Sequence, residues 1–228
     1  MPVVRRLMGI AEAYRLLGLM TMAMLKVSAT TFARIAWSLL SNGEAAEYLI
    51  KVLFMMESVN RGSPMIQRKI ENLLVGDVDI IAHQVNCRGA MGSGVARQIR
   101  MNFPGTYSCY KFACAIASSN PAQLLGYTQI FIEEFSDGHK VRIANLFAQD
   151  GYGYDGKQYT DYDAFRRCLF QLKLYVKSVE EFQGKKLRIG MPYRIGCARG
   201  GGDWNTVYKI IEEELGDLDV TLYELPKK

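Results

Sequence analysis

The chain has 228 residues, with 28 Lys and Arg against 23 Asp and Glu, a formal charge of +5, 49% hydrophobic residues and 22% charged ones. That length supports one sizeable core with an additional element, and the composition is that of a globular rather than a disordered or fibrous chain. The charge is too small and too dispersed to mark a strong nucleic-acid patch, and it supports only a mild bias toward anionic small ligands.

Residues 1–64 stand apart. They are rich in Leu, Met and Ala and hold seven Lys and Arg against four Asp and Glu. Two or three helices are predicted there, near 4–26, 29–41 and 44–58. Ser41-Asn42-Gly43 separates the last two, and 60–64 reads as a linker. The uncharged stretch 16–25 lies between Arg15 and Lys26. It is too short to cross a bilayer, which takes roughly 20 apolar residues. Glu12 and Arg15 break the pattern of a secretory signal. A helical appendage, a membrane-surface anchor and sequence upstream of an internal start at Met65 all remain open, with a membrane partner the least expected. The region is expected to be dispensable to a domain over 65–228.

From Met65 onward strands and helices alternate. Apolar runs at 78–85, 125–132, 141–147, 187–191 and 220–225 suit buried strands, and 67–74 is a weaker strand candidate. Helical periodicity covers 93–102, 107–118, 161–177 and 204–215, with Asp161 placed to cap one helix and Gly216 to stop another. The alternation predicts an α/β domain with a mixed, mostly parallel sheet, and a ligand at the C-terminal ends of its strands.

The cysteines Cys87, Cys109, Cys114, Cys168 and Cys197 are odd in number and form no CxxC pair. With only His83 and His139 beside them, no metal-ligand spacing is present. Reduced thiols, and with them a cytoplasmic location, are expected.

Two glycine-rich loops follow apolar strands. The first is Asn86-Cys87-Arg88-Gly89-Ala90-Met91-Gly92-Ser93-Gly94-Val95-Ala96; the second is Pro192-Tyr193-Arg194-Ile195-Gly196-Cys197-Ala198-Arg199-Gly200-Gly201-Gly202-Asp203-Trp204. A strand, a flexible turn and a helix start present backbone N–H groups to an anion. Two such loops suggest one ligand with two phosphates, gripped from both sides. Gly92 and Gly94 would let a ligand approach the backbone. Three consecutive glycines at 200–202 exceed what a turn alone requires.

Four side chains are candidates for chemistry. Asn86 suits vicinal sugar hydroxyls or an attacking water, or else closes its own turn. His83 is a strand histidine, either satisfied in the core or catalytic. Asp150 ends another strand beside aromatic residues. Asp203 either caps a helix or faces a sugar. Neither loop gives G-x-G-x-x-G with a later acidic residue, and no G-K-[ST] occurs.

Together these motifs resemble the macro domain, the ADP-ribose-binding module. The resemblance spans 66–226. Its most specific parts are Ile80-Ile81-Ala82-His83-Gln84-Val85-Asn86-Cys87, Met91 through Ala96, Ile143 through Gly153 and Pro192 through Trp204. It is most similar to the branch that contains yeast-type ADP-ribose-1″-phosphate phosphatase and terminal ADP-ribose glycohydrolase. The resemblance implies a three-layer α/β/α fold, with Asn72 and Leu73 near the adenine. It places Gln84, Val85 and Asn86 at the ligand, with Asn86 on the distal ribose. Met91, Gly92, Ser93, Gly94, Val95 and Ala96 would cradle that ribose and the diphosphate. Ile195, Gly196, Cys197, Ala198, Arg199, Gly200, Gly201 and Gly202 would wrap the diphosphate from the other side. His83 and Asp150 match positions suspected of catalysis. The lysine that serves the glycohydrolase branch is absent after Asn145-Leu146-Phe147-Ala148-Gln149, and its partner Asp falls near Gly200. Both departures argue against covalent lysine chemistry.

The expectation is a hydrolase of ADP-ribose conjugates, acting on ADP-ribose 1″-phosphate or on ADP-ribosylated protein or nucleic acid. No cofactor and no metal are expected. A non-catalytic reader of ADP-ribose or a related nucleotide is the alternative.

Overall fold

The structure, a computed structural model, describes residues 66–134 and 138–226. The helices expected over 4–26, 29–41 and 44–58 lie outside the described residues. Six strands form one sheet: β1 (Gln67–Ile70), β2 (Ile80–Asn86), β3 (Thr128–Glu134), β4 (Lys140–Gln149), β5 (Arg188–Pro192) and β6 (Asp219–Glu224). Their order is β1-β6-β5-β2-β4-β3. Only the β3–β4 pair is antiparallel. The helices are α1 (Gly94–Asn102), α2 (Pro104–Ile116), α3 (Tyr162–Gln183) and α4 (Trp204–Leu215).

The sheet is buried on both faces because β2 and β4 carry apolar residues on both of their sides, successive side chains pointing to opposite faces. Ile80, Ala82, Ala144, Leu146 and Ala148 pack with Phe165, Leu169 and Leu172 of α3 and with Val207, Ile210 and Ile211 of α4. On the other face Ile81 and Ile143 pack with Ile99 of α1, and Val85 and Phe147 pack with Tyr110 of α2. Helices therefore cover both sides, giving three layers. Burying each such aliphatic side chain contributes about 1.5–3 kcal/mol. Leu172→Ala, at a fully buried position, would cost about 2–5 kcal/mol.

Element ends follow local chemistry. The Asp161 carboxylate accepts from Ala164 N–H at 2.8 Å and starts α3. α3 runs six residues past its expected end and stops at Gly184, in the left-handed conformation at φ 63°. α2 starts three residues early because Pro104 opens it, where no N–H is needed. The weak strand candidate over 67–74 splits. β1 covers its first part, and Asn72 then caps a 3₁₀ turn at Leu73–Val75 by accepting from Leu74 N–H at 3.1 Å.

Candidate functional site

The C-terminal ends of β2, β4 and β5 open onto a cleft of about 320 Å³ lined by Asn86, Gln149 and Pro192 and by the loops that follow β2 and β5. Parallel strands place their outgoing loops at one pole, so the two glycine-rich segments face each other there.

Asn86 organises the first wall. Its Oδ1 accepts from the N–H of Arg88 at 2.9 Å and of Ala90 at 3.2 Å, and from the Tyr110 hydroxyl at 3.0 Å. Its Nδ2 donates to the Ala90 carbonyl at 2.6 Å. Two backbone donors on one side and a backbone acceptor on the other fix the amide orientation. Asn86 thus closes its own turn while lining the cleft. Beyond it, Ser93 caps α1 without a side-chain hydrogen bond. The N–H groups of Ser93, Gly94, Val95 and Ala96 have no partner among the described residues. They form the positive end of a helix aimed at the cleft. A Cβ at Gly92 or Gly94 would meet nothing within 4 Å, so the backbone there borders open space.

The second wall is built differently. Its segment 193–202 lies on the segment 157–160. Gly200 O accepts from the N–H groups of Tyr159 and Thr160 at 2.8 Å, and Arg199 O from Gly153 N–H at 3.0 Å. A Cβ at Gly201 would lie 2.3 Å from Lys157 O, and one at Gly200 would lie 2.4 Å from Thr160 Oγ1. Two of the three consecutive glycines therefore make room for the protein's own chain rather than for a ligand. Beneath them Gln84 Nε2 donates to Gln149 Oε1 and to Thr160 Oγ1, both at 2.8 Å, and Thr160 Oγ1 donates to Gly196 O at 2.8 Å. The N–H groups of Gly196, Ala198, Arg199 and Gly200 have no partner among the described residues. Arg194 holds φ 58°, a strained left-handed conformation for a residue with a side chain.

His83 lies on the floor, 1% exposed. A hydrogen-bond chain sets its tautomer. Gln129 Nε2 donates to Cys109 O, Asn145 Nδ2 donates to Gln129 Oε1, and Asn145 Oδ1 is left to accept from His83 Nε2–H at 2.7 Å. The Nδ1 lone pair of His83 is buried and has no partner. Burial pushes the imidazole down to about 4 against the opposing pull of Asn145, so it is neutral at pH 7. Burial likewise pushes the Cys87 thiol up to about 12 and the Cys197 thiol up to about 11, which keeps both protonated.

The carboxylates are elsewhere. Asp203 Oδ1 accepts from Thr206 N–H and Oγ1, both at 2.9 Å, as the cap of α4, and those bonds hold its pKa below the ordinary carboxylate value. Asp150 pairs with Arg88 at 2.7 Å. Neither belongs to the lining, and no described Asp or Glu does; the charged residues there are Arg194 and Arg199. Of the residues the sequence places at the ligand, Gln84, Val85, Asn86, Gly92, Ser93, Gly94, Val95, Ala96, Ile195, Gly196, Ala198, Arg199 and Gly200 line the cleft. Asn72, Leu73, Met91, Cys197, Gly201 and Gly202 do not: Leu73 and Met91 are core residues, and Asn72 caps its turn. The cleft is also lined by Gln149, Pro192 and Tyr193, which the sequence did not single out at the ligand, and by Ala90 and Arg194, which it placed there only as parts of the two loops. The sequence pointed to Tyr152 and Tyr154 only as aromatic neighbours of Asp150. Among the described residues no three His, Cys, Asp or Glu side chains gather as metal ligands, and no helix is long and apolar enough to cross a membrane.

No family model matches the chain. Among curated proteins it is 41% identical over 80 residues to an ADP-ribose 1″-phosphate phosphatase of Meyerozyma guilliermondii, a match covering 32% of this chain and 46% of that protein. It is 32% identical over 126 residues to the Scheffersomyces stipitis protein of the same name, covering 50% of this chain and 72% of the other. The fold is similar to that of the macrodomain of Mycobacterium tuberculosis DarG, with a TM-score of 0.55 and 22% identity over 72% of this chain and 99% of that one. Thermosipho africanus DarTG, solved in complex with ADP-ribose, gives a TM-score of 0.54 and 18% identity over 83% of this chain and 53% of that one. The match thus spans about half the length of the Meyerozyma relative but nearly three quarters of the Scheffersomyces one. With that relative and this fold together, the chain belongs to the macro domain family.

Proposed function

We propose that the cleft binds ADP-ribose and that the protein hydrolyses ADP-ribose conjugates, ADP-ribose 1″-phosphate first among them. One observation carries this reading. Two facing rows of unpartnered backbone N–H groups, with two guanidinium groups and no carboxylate beside them, border a single cleft. Such a surface suits a diphosphate, and its fixed dipoles need no reorganisation when an anion arrives. The name of the yeast relatives and the ADP-ribose complex of DarTG support the same ligand.

In the phosphatase version water attacks the 1″-phosphorus, and ADP-ribose and inorganic phosphate leave. Asn86 and the first-wall N–H groups would hold the distal ribose. The bare Nδ1 of His83 is buried, and its low basicity would make it a weak general base even where a water reached it. Orientation and preorganised donors would then supply most of the acceleration. The engagement of Asp150 with Arg88 and of Asp203 with α4 favours a second reading, a binder that performs no chemistry.

Calorimetry with ADP-ribose, followed by incubation with ADP-ribose 1″-phosphate, ADP-ribosylated protein and ADP-ribosylated DNA, separates the two. Phosphate release from the first substrate supports the phosphatase. Binding without turnover on any of the three supports the reader. Absence of binding overturns both. The domain boundary at 64/65 belongs to this proposal, and a 65–228 chain is expected to behave as the full one does.

A further inference from the structure

Arg199 sits in the middle of the second wall with its side chain uncommitted. Its carbonyl accepts from Gly153 N–H at 3.0 Å, which ties the residue to the segment carrying Tyr154. The guanidinium carbon lies 5.0 Å from the centre of the Tyr154 ring. The Nε atom is buried and has no hydrogen-bond partner. Other arginines of the domain are used within the protein. Arg68 pairs with Glu224, Arg88 with Asp150, Arg166 with Glu213 and Glu214, and Arg188 with Asp77 and Asp79. No carboxylate among the described residues pairs with Arg199.

A buried N–H donor without an acceptor is unfavourable unless a ligand completes it. The cation–π contact with the Tyr154 ring uses none of the guanidinium's hydrogen-bond donors. The backbone N–H groups of both walls already match a diphosphate. A guanidinium adds a full charge and a planar fork, the geometry that two oxygens of one phosphate accept.

We propose that Arg199, held by Tyr154, is a specificity-determining residue that selects ligands bearing a phosphomonoester in addition to the diphosphate. The inference rests on the ADP-ribose reading above and deepens it. The contact with Tyr154 restrains the guanidinium before the ligand arrives, so the discrimination costs less side-chain ordering.

The test is calorimetric titration of the full chain with two probes. One is ADP-ribose; the other is its 1″-phosphonate, whose C–P bond is not hydrolysed during the titration. The reading is the ratio of their dissociation constants. The unaltered protein is expected to favour the phosphonate by about tenfold or more, Arg199→Leu by about twofold at most, and Arg199→Lys by an intermediate factor because a point charge lacks the fork. Tyr154→Ala, at a residue 77% exposed and so without risk to the core, is expected to lower the ratio in the same direction. Equal loss of affinity for both probes in Arg199→Leu would assign the guanidinium to the diphosphate and overturn the proposal. An unchanged ratio in Arg199→Leu would overturn it as well. If the unaltered protein binds neither probe, the ADP-ribose reading falls and this inference with it.

Discussion

The two walls of the cleft are rich in the same residue and use it for opposite purposes. In the first wall, Gly92 and Gly94 face open space, and the polypeptide around them is organised by one side chain, Asn86. In the second wall, Gly200, Gly201 and Gly202 press against Lys157 and Thr160. The first loop leaves room for a visitor, and the second leaves room for the protein's own backbone. A glycine motif thus carries two kinds of information, and only the neighbour across the gap tells which.

The contrast can be broken most sharply at Gly92. Its backbone is not left-handed and a Cβ there is unopposed, so Gly92→Glu should leave the melting temperature unchanged. The new carboxylate among the free N–H groups should weaken ADP-ribose binding by about 100-fold through like-charge opposition. Calorimetry and thermal melts read both halves. Gly201→Ala is the counterpart. At φ 65°, with Lys157 O in the way, it should destabilise the fold by about 2 kcal/mol or more and lower the melting temperature by about 5 °C. A silent Gly201→Ala would erase the distinction between the loops.

The floor between the walls gives a pH test. The His83 imidazole is held down to about 4 from an ordinary 6.5 by burial. The unfolded chain therefore binds a proton that the folded chain refuses between those values. The associated stability is present above pH 6.5 and is lost as pH falls toward 4. From pH 7 to pH 5 this loss should amount to about 2 kcal/mol in urea titrations, and His83→Gln should remove it. The smallest effect is expected at Asp203. Asp203→Ala removes the cap of α4 and should lower the melting temperature by about 2–4 °C, with ADP-ribose affinity unaltered. A large loss of turnover instead would put this carboxylate at the ligand and redraw the second wall.

Much of this architecture was legible beforehand because β2, β4 and β5 are nearly continuous apolar runs, and Asp161, Asp203 and Gly216 mark helix ends by their chemistry. The antiparallel placement of β3 was not, since nothing in its residues distinguishes the two directions. In the site, the loops were readable as loops, but their facing sides were not. Tyr193 and Arg194 line the cleft where the chain turns through φ 58° at Arg194, and a residue with a side chain gives no signal for that turn. Leu73, which the resemblance places near the adenine, is buried among core residues in the 3₁₀ turn capped by Asn72.

The pairing of β1 with β6 has a further consequence. Gln67 is matched to Thr221 and Ile70 to Glu224, so the outermost strand joins the sheet only when nearly the whole domain is in place. Closing so long a loop is entropically slow and is rewarded late. All four residues of this strand are exposed, and Arg68 holds it to Glu224 and Tyr193. Such an edge should form last during folding and exchange its amide protons first, while the strands beneath the cleft stay protected.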